Sequence, residues 1–165
     1  MSKVYDDLMA AFAGESMANR KYLAYANKAD EEGYSQAARL FRAIAHAETI
    51  HAMNHFKRAG EVHSTAENLG AAANSEHYES TEMYPAFLKD AEAEDNKSAF
   101  TSFHFANEAE KVHEVLYREM LDSLSKEGEE YDYYICPVCG YTEKRKAPEK
   151  CPVCGFPGSR FEVIR

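Results

Sequence analysis

The sequence predicts a mainly α protein: a four-helix bundle followed by a small metal-knuckle domain. Three observations predict it. Apolar residues recur at helical spacing through roughly the first 127 residues. The pattern Ala-Glu-x-(Ile/Val)-His occurs twice in that stretch, at residues 47–51 and 109–113. All four cysteines lie in the last 30 residues, in two Cys-Pro-Val-Cys-Gly repeats.

The elements follow in order. A first helix is expected from Val4 to Glu32, stopped by Gly33, a residue suited to a left-handed cap. Ser35 is expected to cap a second helix that runs to Arg58, before Gly60. A longer connection, Glu61 to Ala73, follows, with Thr65 capping a short helical piece. A third helix is expected over Asn74–Glu94, kinked at Pro85, and a fourth over Asn96–Lys126, before Gly128. Two tight turns and one longer connection suit a four-helix bundle with a crossover. Residues 1–130 are assigned to this bundle and residues 131–165 to the cysteine domain, with polar Glu129–Asp132 at the join. So short a domain cannot bury enough surface to fold unaided, so its stability depends on what its cysteines hold.

Composition narrows the function. The net charge of −9, with 28% charged residues, argues against nucleic acid or an anionic membrane as partner. No apolar run approaches the ~20 residues that span a bilayer. The start, Met1 to Asp7, lacks the apolar core of a secretion signal, so a cytoplasmic location is expected. In a reducing compartment, Cys-x-x-Cys pairs read as metal ligands rather than disulfides.

In each Glu-x-x-His pair the three-residue spacing puts both side chains on one helix face. That face is apolar. Phe41, Ile44, Glu48, His51 and His55 share it in the first copy; Phe103, Asn107, Glu110, His113, Tyr117 and Leu121 share it in the second. Glu15 likewise lies on a stripe with Leu8, Phe12, Ala18, Tyr22 and Ala26. The third helix offers Glu79 and Glu82, with Met83, Ala86 and Phe87 continuing that side. Unpaired buried carboxylates cost several kcal/mol, and a metal is the simplest compensation. Glu15 and Glu48 are 33 positions apart, Glu79 and Glu110 are 31, so the bundle reads as an internal repeat. Two hairpins related by a pseudo-twofold are expected to bring these carboxylates and imidazoles to one centre.

A lone carboxylate from each first helix and a Glu-x-x-His from each second is the ligand set of ferritin-like di-metal bundles. Hard oxygen donors with two imidazoles suit iron or manganese. Four carboxylates balance two divalent ions. Glu82, a fifth, favours the ferric pair and is expected to act as a redox-linked ligand. One Glu-x-x-His alone is common on solvated faces; the duplication with matched glutamates is what distinguishes this chain. Tyr22 and Tyr84 are pocket candidates, with ordinary packing as the alternative. His55 reads as a satisfied buried histidine, His46, His63, His77 and His104 as surface residues, and Glu76, Glu108 and Glu114 as solvated charges.

Cys136, Cys139, Cys151 and Cys154 have the spacing of a tetrahedral four-thiolate site. Spacing alone does not separate zinc from iron. An aromatic set (Tyr134, Tyr141, Phe156, Phe161) and a redox-type centre in the same chain favour iron.

These residues resemble the rubrerythrin family along the whole chain. Ala11–Ser16, Phe41–Ala45, Glu79–Pro85, Ala109–His113 and the tail from Tyr134 to Phe161 carry the resemblance. It implies a non-haem di-iron centre bound by Glu15, Glu48, His51, Glu79, Glu82, Glu110 and His113. It implies one rubredoxin-type iron on Cys136, Cys139, Cys151 and Cys154. The implied activity is reduction of hydrogen peroxide to water in anaerobic or microaerobic cells, with Tyr22 and Tyr84 lining the pocket. Glu82 would exchange with His51 at an iron on reduction. Electrons would come from an external reductase or rubredoxin fed by NAD(P)H, since the chain has no nicotinamide-binding fingerprint. A homodimer or higher homo-oligomer is expected, one subunit's small domain lying against another's bundle. The rival readings are a ferroxidase or iron-handling protein, a zinc-regulated interaction module and a manganese catalase.

Overall fold

A computed structural model describes residues 2–125 and 128–165. Their contacts divide into two units, Met1–His63 and Ser64–Arg165. No helix among the described residues is long and apolar enough to cross a membrane.

The first unit is a helical hairpin, α1 (Lys3–Glu31) and α2 (Ser35–Ala59). Ser2 caps α1 by accepting from the Tyr5 amide. Gly33 takes the left-handed conformation at φ 83°, and the Gly33 and Tyr34 amides turn back onto the carbonyls of Asp30 and Ala29. This tight turn leaves Ser35 already helical. Tyr34 holds the cap position without a side-chain bond, so the expected Ser35 cap is absent. Gly60 and Glu61 close α2 in the same way. Alanines fill the seam: Ala26 and Ala29 of α1, and Ala38, Ala45 and Ala52 of α2. Small side chains let the backbones approach closely enough for Asn19 Nδ2 to donate to the Ala45 carbonyl at 2.6 Å.

The second unit begins at once. The connection expected to be long is instead helical from Thr65, because Ser64 caps it with a capping box closed by Glu67. Thr65, the expected cap, is thus the first helical residue. Helix α3 (Thr65–Tyr78) runs directly into a π-helical turn, Glu79–Met83, and on into α4 (Tyr84–Ala93). The Tyr84 amide bonds the Glu79 carbonyl, five residues back. Pro85 has no N–H for the Thr81 carbonyl, so the kink expected there appears as this widened turn. Helix α5 (Lys97–Ser123) follows, capped by Asn96. Its expected end at Lys126 lies outside the described residues.

The rest is a three-stranded antiparallel sheet in the order β2-β1-β3: β1 (Tyr133–Ile135), β2 (Thr142–Lys144) and β3 (Glu162–Ile164). Tyr134 pairs with Glu143 on one side and Val163 on the other. Its core is Cys136, Cys139, Cys151 and Phe161, with Tyr134, Tyr141 and Phe156 against them and Phe105 of α5 packed onto the same cluster. A Cβ at Gly158 would overlap the Pro148 carbonyl, so only glycine fits there.

Candidate metal centres

Three clusters of metal-ligating groups occur among the described residues: Glu15, Glu48 and His51; Glu76, Glu110 and His113; and the four cysteines. Within each, one potential ligand atom per residue lies within 4.8 Å of the others.

In the first unit, Glu15 of α1 meets Glu48 and His51 of α2. His51 Nδ1 is 3.2 Å from Glu48 Oε2. The hydrogen bond between the carboxyls raises Glu15 and lowers Glu48, as expected of two acids sharing one proton. Half-buried His55 sits near enough to act on the Glu15 charge. Tyr22 packs its ring against Tyr25 and Phe41, at centroid distances of 6.3 and 6.4 Å.

In the second unit the helices place a different carboxylate from the one expected. Glu76, read from the sequence as a solvated charge, joins Glu110 and His113. Glu79 lies one turn on, close enough for its charge to act on Glu76 and on Tyr84. Glu82 is exposed and belongs to no cluster, so its expected place among the ligands is corrected. The π turn is the reason. Counting by fours from Glu79 leads to Met83 and Phe87, whereas the backbone spends five residues and stacks Glu79 beneath Tyr84. A sequence signal for Glu76 existed: it stands 34 positions before Glu110, nearer the 33 of Glu15 and Glu48 than the 31 of Glu79. Glu108 pairs with Lys111, and Glu114 with His77 and Arg118, so these are surface charges with partners.

This second triad is the better buried. Glu76, Glu110 and His113 keep 18, 16 and 24% side-chain exposure, against 55% for His51. His113 Nδ1 lies 2.6 Å from Glu110 Oε2. Burial, then the hydrogen bond and charge of Glu110, push Glu76 up to about 7. Burial opposes ionisation of Glu110 as well, but bonds from His113 and Glu76 outweigh it and hold Glu110 below the usual carboxylate range. His113 is raised: burial works against the imidazolium, and Glu110 together with the Gly140 carbonyl overcomes it. Tyr84 is raised by burial and by the Glu110, Glu79 and Glu76 charges, so it lies near this site.

His113 has a second set of contacts. Its Nε2 is 3.0 Å from the Gly140 carbonyl and 3.1 Å from Thr142 Oγ1, both in the cysteine domain. No periodicity or spacing announces this, because the partners lie 27 and 29 positions away on a different element. It places the first cysteine knuckle on α5 of the same chain.

The two knuckles share one conformation. Gly140 and Gly155 stand at φ 78° and 75°, and their amides donate to the carbonyls of Cys136 and Cys151 at 3.0 and 2.9 Å. The Cys136 and Cys154 sulfurs are 3.5 Å apart, those of Cys139 and Cys151 3.4 Å. These are far too long for disulfides and close to the ~3.8 Å edge of a tetrahedron with ~2.3 Å metal–sulfur bonds. Burial disfavours thiolate at Cys136, yet amides of Val138 and Cys139 donating to its sulfur hold it below the ordinary thiol value.

The family model described as Rubrerythrin matches residues 6–121, most of the chain. The chain belongs to the rubrerythrin family. A second model, the rubrerythrin rubredoxin-like domain, matches residues 134–162. Rubrerythrin-2 of Clostridium acetobutylicum is 39% identical, over 96% of this chain and 95% of its own length. Nigerythrin of Nitratidesulfovibrio vulgaris is 38% identical over 94% of this chain and 84% of its own, and the Porphyromonas gingivalis rubrerythrin 37% over 99% and 91%. The solved structure of fully reduced, all-ferrous nigerythrin aligns with TM-score 0.61 at 36% identity, covering 99% of this chain and 88% of that one. The fold is thus a ferritin-like bundle with a rubredoxin-like domain, and the protein is of an oxidoreductase family. Its cofactors are two non-haem irons and one tetrathiolate iron. The residues present fit them: two acidic triads, each with an imidazole, and four convergent sulfurs.

Proposed function

We propose that this protein is a peroxidase that reduces hydrogen peroxide to water, its electrons arriving through its own rubredoxin-type iron. The carrying observation is the direct contact of the Gly140 knuckle with His113, which puts an electron-carrier site against a half-buried acid–imidazole triad. An iron-storage protein has no use for such a contact.

The proposed di-iron ligands are Glu15, Glu48, His51, Glu76, Glu79, Glu110 and His113, with Glu79 in the redox-linked role first expected of Glu82. Bound ferrous iron would supply the two electrons that reduce the O–O bond. The chain's own groups do the rest. Glu48 and Glu110 stay ionised beside their histidines and offer permanent negative charge. Glu76, raised by burial and Glu110, and Glu15, raised by Glu48, give up protons when a cation enters. Tyr84 stays protonated, and its hydroxyl serves as donor to an oxygen reduced nearby. The external donor is proposed to be a reductase or rubredoxin fed by NAD(P)H, the assembly a homo-oligomer and the location the cytoplasm.

The test is anaerobic stopped-flow of the fully ferrous protein mixed with peroxide or with dioxygen. Oxidation at least about tenfold faster with peroxide is expected; faster oxidation by dioxygen would establish the ferroxidase reading instead.

A further inference from the structure

We propose that Thr142 is a positioning residue that holds the Gly140 carbonyl and the His113 imidazole in register, making them the electrical junction between the cysteine site and the triad of Glu76, Glu110 and His113. This deepens the peroxidase reading and rests on it.

Three distances define the junction. His113 Nε2 is 3.0 Å from the Gly140 carbonyl oxygen and 3.1 Å from Thr142 Oγ1, and the Thr142 hydroxyl donates to that same carbonyl at 3.0 Å. A carbonyl can only accept, so Nε2 carries a hydrogen, and Nδ1, which donates to Glu110 and also faces Glu76, is the nitrogen a metal would take once it displaces that proton. The contact therefore sets the tautomer that a metal on this triad requires. It also sets a path. Gly140 follows Cys139 directly, so the route from the Cys139 sulfur to the imidazole runs through the bonds of Cys139 and Gly140, the one peptide that joins them, and one hydrogen bond. Half-buried Phe105, packed against the cysteine cluster, and the left-handed turn at Gly140, which passes close to Ala109, keep the knuckle on α5. Neither Gly140 nor His113 can hold the other alone, because a carbonyl accepts over a broad range of directions. The hydroxyl of half-buried Thr142, touching both, narrows it.

The step is a single electron transfer. With iron in both sites, the tetrathiolate iron would go from ferrous to ferric as one ferric ion of the di-iron centre became ferrous, while the Nε2 hydrogen stays where it is.

Thr142→Val, which keeps shape and removes the hydroxyl, and Thr142→Ser, which keeps the hydroxyl, test this. Fully reduced, iron-loaded protein is mixed with less than one equivalent of peroxide in a stopped-flow spectrometer. The first phase is oxidation of the di-iron centre. The second is growth of the red ferric tetrathiolate band, which reports the internal transfer. Thr142→Val is expected to slow the second phase about tenfold or more, with the first phase, iron content and ferric tetrathiolate spectrum unchanged; Thr142→Ser is expected to restore it. An unchanged second phase in Thr142→Val overturns the proposal. An absent first phase overturns the peroxidase reading only, since dioxygen then starts the same second phase. Co-purified oligomers pairing a Cys139→Ser copy with a His113→Ala copy separate the routes: no second phase is expected, and its recovery would place the path between chains.

Discussion

A carboxylic acid buried beside another carboxylate holds its proton more tightly than it does in water. Glu76 is in that position, pushed up to about 7 by burial and by Glu110. Its pKa in the folded chain exceeds that in the unfolded one, so its favourable contribution is complete below about pH 4.5 and is lost as pH rises through 7. Metal-free protein is therefore expected to unfold at lower urea concentration near pH 8 than near pH 5, and Glu76→Gln is expected to flatten that difference. With iron present the sign changes. The cation takes the place of the shared proton, and loading below pH 7 is expected to release protons measurable in weak buffer. Glu76→Ala should leave the tetrathiolate iron in place and strip the other irons, lowering their affinity more than about tenfold, whereas Glu82→Ala should keep all three by metal analysis. Glu15, Glu48, His51, Glu110 and His113 were legible in the sequence because they sit on regular α-helix, where counting by three and four is reliable. Glu76 carried only the weaker signal of its separation from Glu110, since the count from the Glu79–Pro85 segment crosses a turn of unusual width. The contact of His113 with Thr142 had no sequence signal of any kind.

Secondary-structure elements were legible wherever propensity and punctuation agreed. Gly33 and Gly60 end their helices by a left-handed residue, as their positions in the sequence indicate. The start of α3 was misread because Ser64 and Thr65 are equivalent as caps by residue type; Glu67, three residues after Ser64, is what selects the former. This cap carries a testable load. Ser64→Ala is expected to cost about 1 kcal/mol in denaturant unfolding, and Ser64→Asp to recover most of it. Ser35 failed as a cap for a local reason: the three-residue turn needs Tyr34 to donate to Ala29, and that bond already sets where α2 begins.

At the scale of the whole molecule, the helices and the cysteine domain differ in what holds them. The helices bury alanine seams and carry their own backbone bonds. The cysteine domain has three strands of three residues and a core in which three of four buried members are cysteines. Removing all iron under reducing, anaerobic conditions is expected to leave helical circular dichroism largely intact while the amides of Tyr133–Ile135 and Thr142–Lys144 lose protection from exchange. Retained protection in the metal-free protein would show that the aromatic packing suffices. The broad architecture was readable from residue pattern because each part has a different period: helical spacing first, then a cysteine repeat. The placement of the first knuckle on α5 required coordinates, since it depends on Phe105 and Ala109, which the helical pattern assigns equally well to any neighbour.

The π turn breaks the likeness between the two halves of the bundle. Tyr22 comes seven residues after Glu15, while Tyr84 comes eight after Glu76. One added residue carries an added acid, Glu79, on the second half alone. The two triads are therefore unequal hosts: an ion held by Glu76, Glu110 and His113 would feel the extra charge of Glu79 and would give up an electron more readily than one held by Glu15, Glu48 and His51.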